Sequence, residues 1–358
     1  MNYGLFYLFS DFGNIEQSRI YTEVLDEIEY AESLGFDSVW LPEHHFSNYA
    51  MMGNPLTFAA AVSQRTQAMR IGTAVVLLPF QHPLRVAEDA ALVDSISGGR
   101  LMLGVGRGYQ PPEFQGFGIA QELSSCMFRE SLEILLKALS GENFSYQGNY
   151  WQIEAPTEIF PKPIQKPHPP LYIASVTARS IEVAADFGMS LIRAPQFSTL
   201  DAVEESYELY REKMTIKGHD VDQIDQPLSI RTYVAPTDEE AWSEAQHAVW
   251  FYKLMATLLP GAPGRPAPVS GYENYPQNPE VLAKTTLTDL KERGTAFGSP
   301  ENVAKILNIY IERLRPTHLM LQMRIGGLEH WKVKRSMKLF AEEVVPRLTK
   351  EIAAGPVI

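Results

Sequence analysis

Residues 36–55 read FDSVWLPEHHFSNYAMMGNP, and the fold turns on how this stretch is interpreted. The apolar run Val39-Trp40-Leu41 breaks at Pro42 into Glu43-His44-His45. A short apolar run stopped by proline describes a buried strand running into a loop, and here the loop opens with one carboxylate and two imidazoles. In a parallel barrel such an edge is the carboxyl end of a strand, where barrels place their chemistry. Histidine titrates near neutral pH, so the pair beside Glu43 suits proton transfer or metal binding. Taken alone, Glu-His-His is better explained as a capped turn with one packed ring. The neighbouring elements change that balance.

Outward from this stretch, short apolar strands alternate with helices. Residues 3–9 form a first strand; residues 16–34 place Ile20, Val24, Ile28 and Ala31 at helical spacing, and Gly35 stops the helix. Strand two is 37–41. An Ala-rich helix covers 55–68, with Asn54 as N-cap and Pro55 in its first turn. Strand three is 70–78 (RIGTAVVLL), helix three 83–96, and strand four 101–105, running into Gly106-Arg107-Gly108. Helix four covers 124–139, a hairpin follows at 144–153, and a proline-rich connection leads to strand five at 171–175. The alternation continues with helix 178–187, strand 189–193, helix 200–217, strand 226–234 and helix 238–259. Helix 303–314, strand 318–322 and helix 330–348 complete it.

Eight such repeats predict an α/β protein whose parallel sheet closes as a (β/α)8 TIM barrel, with residues 1–358 as a single domain. No G-x-G-x-x-G opens the first helix, which argues against an open doubly wound sheet. Residues 260–297 interrupt the pattern before the last helix–strand unit. They are long for a barrel loop and rich in Pro and Gly, which predicts a mobile lid.

Composition narrows the function. Hydrophobic residues make up 45% of 358, enough for a large core, and Lys+Arg 31 against Asp+Glu 43 leaves a net charge of −12 without any basic run. Nucleic acid and anionic membranes are therefore poor partners. The single cysteine, Cys126, excludes an intrachain disulfide framework and fits a reducing compartment. The N-terminus has no basic n-region and reads as a strand, and no apolar segment is long enough to span a bilayer. A soluble, cytoplasmic protein is expected.

Three further stretches fall at the same edge of the predicted barrel. Small residues around Ala74-Val75 after strand three let a flat ring approach the backbone. Arg107, between Gly106 and Gly108, can meet an anion above the barrel. Strand five ends in Ala174-Ser175-Val176-Thr177-Ala178-Arg179-Ser180, which sets hydroxyls at a helix N-terminus where phosphates bind. Each has a plainer reading (barrel packing, an exposed arginine, an ordinary Thr N-cap). Together they describe a phosphate cradle and a slot for a flat ring, faced by Glu43-His44-His45.

The strings FDSVWLPEHHF…GNP, IGTAVVLLPFQHPLRVAEDAALVDSISGGRLMLGVGRG and MKLFAEEVVP resemble the bacterial luciferase family, the α-type subunit most of all, over residues 1 to 348. The resemblance implies a TIM-barrel monooxygenase that takes reduced FMN from a separate flavin reductase and forms a flavin C4a-hydroperoxide with O2. By position it implies His44 as catalytic residue with Glu43 and His45 beside it. It implies Ala74-Val75, joined by a cis peptide, and Gly106 beside the flavin ring. Arg107, Ala174, Ser175, Thr177 and Ser180 then hold the phosphate end. It implies a homodimer paired through the 55–68 and 83–96 helices, a small-molecule substrate, and a lid whose Tyr272, Tyr275 and Lys284 cover the flavin. The chain departs from the family at Gly106, where luciferase has a reactive cysteine and room is expected to open. It departs at Ser125, in place of a second phosphate arginine for which Arg129 could substitute, and at Pro195, in place of a tryptophan. These changes weigh against light emission and long-chain aldehydes. A deazaflavin-dependent oxidoreductase on the same barrel is the second expectation, and a non-catalytic flavin-binding relative the third.

Overall fold

In the computed structural model the eight apolar runs become eight parallel strands. They are β1 (Asn2–Phe6), β2 (Ser38–Leu41), β3 (Arg70–Thr73), β4 (Leu101–Gly106), β5 (Leu171–Ala174), β6 (Ser190–Ile192), β7 (Pro227–Val234) and β8 (His318–Gln322). The structure describes residues 1–349 apart from Asn14, Ser175, Val176, Gly271, 273–277, 292 and 293. Sequential strands pair in parallel from β1 to β6, β7 pairs with β8, and β8 returns to β1. A single bridge between β6 and β7 closes the ring: Arg193 N–H donates to Pro227 O at 3.2 Å and Ser229 N–H to Arg193 O at 2.7 Å.

Beyond that bridge the upper half of β7 pairs with another strand, Thr295–Gly298, with Arg231 opposite Thr295 and Val234 opposite Gly298. The stretch read as a lid therefore ends inside the sheet. It also holds two short helices, Pro279–Ala283 and Leu287–Leu290. Lys284 is exposed, and Tyr275 lies outside the described residues.

Strands covered on both faces need apolar side chains on both, and all residues of β2, β4 and β7 are buried. Outside the barrel, Ile20, Val24, Ile28 and Ala31 of helix Gln17–Ser33 pack toward the strands as their spacing predicts. Inside it, a second core gathers Trp40, Val75, Leu77, Met102, Tyr172, Ile192 and Met320. Gly72 makes room for the indole, since a Cβ there would lie 2.3 Å from Trp40 Cε3.

Three helices differ from their expected form; the last, expected over 330–348, is α-helical over His330–Leu339 and goes on as a π turn and a 3₁₀ turn. The helix capped by Asn54 spans Pro55–Ser63 and stops short of 68, because the Glu32 carboxylate accepts the N–H groups of Gln67, Ala68 and Met69. Residues 238–259 are three pieces: Asp238–Glu244, a 3₁₀ turn Ala245–Val249, and Trp250–Leu258. A helix not read from the sequence, Pro111–Phe117, lies over the upper edge of the barrel. Among the described residues no helix is long and apolar enough to cross a membrane.

Candidate active site

The carboxyl ends of the strands open into a cleft of about 970 Å³, mouth included. Glu43, His44, Ala74, Val75, Gly106, Arg107, Ala174, Thr177 and Ser180 all line it. Ser175 lies outside the described residues. His45 is not on the lining.

The floor forms where β3 ends. The Ala74–Val75 peptide is cis, and the chain then continues as Val76–Leu77 against Val105 and Gly106 of β4. This approach demands glycine on β4. A Cβ on Gly104 would lie 1.9 Å from Thr73 O, and one on Gly106 would lie 2.4 Å from Val75 Cγ2. The room expected at Gly106 is therefore not open; the Val75 side chain fills it.

On one wall, His44 leaves the end of β2 and its Nδ1 lies 2.9 Å from Glu113 Oε1. Glu113 is fully buried on the helix Pro111–Phe117 and also accepts the His45 N–H at 3.0 Å. Gln110 Nε2 stands 3.0 Å from the same ring nitrogen. One nitrogen carries either a proton or a lone pair, so it cannot serve both neighbours at once. Beside a buried carboxylate the proton sits on Nδ1, which leaves Nε2 free for exchange. The imidazole is flanked by Tyr49 at 4.8 Å and Tyr109 at 5.8 Å between ring centroids.

His45 turns the other way. Its Nε2 meets Glu43 Oε1 at 3.0 Å, and its ring packs edge-on against Phe117 at 4.7 Å. Glu43 also accepts the Leu77 N–H at 3.0 Å and faces Gln81 Nε2 at 3.3 Å. Burial raises the Glu43 carboxyl above its usual range, against these hydrogen bonds, which lower it. Glu43 and His45 thus tie the loop to the segment after β3. The two imidazoles face apart and form no common ligand set; among the described residues no group of three or more His, Cys, Asp or Glu could hold a metal ion.

At the other end of the cleft, Thr177 caps the helix Ala178–Phe187. Its Oγ1 accepts the Ser180 N–H at 3.2 Å and lies 2.9 Å from Ser180 Oγ. This is the ordinary N-cap, yet it also sets two hydroxyls and the positive end of a helix at the cleft. The Arg107 guanidinium lies 4.1 Å from the centroid of the Tyr272 ring, whose hydroxyl donates to Gly108 O at 3.0 Å. A small side cavity joins Arg107 and Ser180 to Ser125 and Arg179. Arg129 does not take the place of a second arginine here. It pairs with Asp186 at 3.1 Å and with Glu133 at 3.5 Å on the outer surface.

The sequence model of the luciferase-like monooxygenases matches residues 1–315. The chain belongs to the luciferase-like monooxygenase family. An alkanal monooxygenase alpha chain of Photorhabdus laumondii is 31% identical over 365 residues, covering 98% of this chain and 99% of the relative. A flavin-dependent trigonelline monooxygenase, oxygenase component, of Acinetobacter baylyi is 29% identical over 66% of this chain and 65% of the relative. Among solved structures, the monooxygenase RslO1 from Streptomyces bottropensis superposes with a TM-score of 0.85 at 27% identity, covering 97% of this chain and 99% of that one. An F420-dependent secondary alcohol dehydrogenase has a TM-score of 0.77 at 18% identity over 98% and 99%, a likeness of fold alone.

In this luciferase-like flavin-dependent barrel, several residues of the site carried no sequence signal. Glu113, which backs His44, sits in a Pro-Pro-Glu run that matches no motif; of the lining residues, Tyr49 and Tyr109 stand in loops and Gln196 in the short 3₁₀ turn Pro195–Phe197. Arg193 follows β6, is 4% exposed and lines the cleft.

Proposed function

We propose that this chain is the oxygenase component of a two-component system, using reduced FMN from a separate reductase and O2 to oxygenate a small organic molecule. The observation that carries this reading is the division of one cleft. Arg107, Thr177 and Ser180 stand at one end as phosphate-binding groups, and His44 backed by Glu113 stands at the other. The trigonelline relative's name, an oxygenase component, supports the reductase partner.

Arg107 and the N-terminus of helix Ala178–Phe187 supply positive charge for the FMN phosphate, and the two hydroxyls fix its orientation. The cis peptide Ala74–Val75 and Gly106 form the flat floor. When bound, the reduced flavin supplies the electrons that activate oxygen. His44 holds a proton on Nδ1 against Glu113 and moves a second at Nε2, the general acid–base share of the reaction. Glu43 and His45 act by holding the loop that carries His44.

The test is oxygen consumption and product formation with a flavin reductase, NADH and FMN, set against reduction of the deazaflavin F420. Oxygen use that rises with an added organic substrate supports the proposal. Deazaflavin reduction without oxygen use would move the chain to the hydride-transfer reading, and tight flavin binding with neither activity to a non-catalytic one. A homodimer is part of the same proposal, since Leu92 and Ile96 of helix Pro83–Ile96 are 49% and 42% exposed. A monomer by light scattering would reject it.

A further inference from the structure

Arg231, on β7, is 3% exposed, and neither of its Nη groups has a hydrogen-bond partner among the described residues. Guanidinium stays charged throughout the working pH range and presents its donors in one rigid plane. Buried charges of this kind are paired in native proteins, because desolvation is not otherwise offset. Phe251 and Tyr252 lie over Arg231 at 4.1 and 4.8 Å. Ring faces attract the cation but offer no acceptor to the N–H groups in its plane. The neighbouring Arg324 differs: Glu23 and Glu27 meet its two Nη atoms. The positive charge left over belongs to Arg231.

Arg231 nevertheless lines a second, narrow cavity, about 400 Å³ only when its solvent-open mouth is included, together with Phe12, Tyr49, Trp250 and Phe251. Leu8 and Tyr49 line both this cavity and the cleft, and the Tyr49 ring is the one that flanks His44. The second cavity therefore adjoins the histidine end of the cleft and not the Arg107 end. One side of it is aromatic, with Phe12 and Trp250 at 4.5 Å and Tyr49 and Phe251 at 5.5 Å between centroids, and Ser10, Gln322 and the paired Arg324 complete the lining. An aromatic side favours a flat ring over a flexible chain.

We infer that this second cavity is the organic-substrate subsite and that it takes an aromatic carboxylate, the acid group on Arg231 and the ring among Phe12, Tyr49 and Trp250. A carboxylate matches the planar fork with two parallel hydrogen bonds and balances its single charge. The inference rests on the monooxygenase reading for what happens to the acid, but not for its binding.

The experiment is calorimetric titration of the full chain with benzoate, benzamide and acetate, with and without FMN. Benzoate is expected to bind at least about tenfold more tightly than benzamide, the loss that follows when charge-assisted hydrogen bonds are removed. Acetate is expected to bind more weakly than benzoate. Arg231→Gln should abolish the preference for the acid while FMN affinity stays within about twofold. Phe12→Ala, at a partly exposed position, should weaken benzoate and leave acetate unchanged. Equal binding of benzoate and benzamide by the wild type, or no binding of either, overturns the inference even if Arg231→Gln fails to fold. Equal binding of acetate and benzoate overturns the aromatic class. Benzoate binding in a chain that fails to bind FMN would sustain the subsite and remove the flavin reading.

Discussion

The barrel holds a histidine against a carboxylate at both of its ends. At the upper end His44 meets Glu113. At the lower end His318, the first residue of β8, lies 3.5 Å from Asp225 Oδ2 and 2.7 Å from Ser38 Oγ. By residue type the lower set is the more suggestive, since Ser, His and Asp in a row match a nucleophile, a base and its orienting acid. Its surroundings say otherwise. Ser38 is 0% and His318 2% exposed, and Ser38 Oγ already accepts from Trp40 Nε1 at 3.0 Å. Trp40 packs edge-on to Tyr172 and His318, and the lumen core separates this cluster from the cleft. The upper histidine lines open space; the lower one holds the floor together. Access, not residue type, distinguishes a reaction site from a structural network.

The largest expected effect separates the two histidines. His44→Ala should lower product formation by about 10²–10⁴-fold, the usual contribution of a general acid–base group, with FMN binding kept and the chain still folded. A folded variant turning over normally would take His44 out of the chemistry. Asp225→Ala should do the reverse. It strands the Tyr172 and Thr317 hydroxyls and His318, at a cost on the order of 3 kcal/mol in denaturant melts, with turnover of the folded fraction unchanged. A large loss of turnover there would mean that the floor and the cleft are coupled.

Arg107→Ala tests the far end of the cleft and should weaken FMN binding by about 1.5–3 kcal/mol. Unchanged affinity would move the phosphate elsewhere. The smallest effect is on pH, where the two ends carry opposite signs. Burial alone would raise the Asp225 carboxyl, but the His318 ring beside it and hydrogen bonds from Thr317 and Tyr172 hold it below its usual range. Its stabilisation is present above the unfolded carboxylate value of about 4 and is lost as pH falls through the depressed folded value. Glu43 is raised by burial, so its folded form takes up a proton first and its share of stability falls as pH rises from the unfolded value through the raised one. Urea melts across this acidic range should therefore flatten in one direction for Asp225→Asn and in the other for Glu43→Gln. Parallel curves for the two variants would refute the assignment.

The eight strands were legible because each is a local event, an apolar run stopped by Pro, Gly or charge. The errors fall where a distant group overrides the local pattern. Glu32 unwinds the end of one helix, and the free upper edge of β7 turns Thr295–Gly298 into a strand that reads as loop. Residues 43–45 were equally legible as a polar strand end, together with Arg107, Thr177 and Ser180 at later ends. That His44 faces the cleft and His45 turns away follows from strand alternation, but the carboxylate that backs His44 was not legible. Glu113 is 69 residues from His44, and no spacing along the chain encodes their meeting. The same holds for Arg231, an ordinary polar residue within a strand until closure sets Phe251 and Tyr252 over it and leaves its two Nη groups without an acceptor among the described residues. Periodicity and chain breakers, which act over a few residues, determined the elements and the edge where the chemistry gathers. Closure of the barrel, which brings together groups far apart in the chain, decided which of them react, which hold the fold, and which charge is left to meet a ligand.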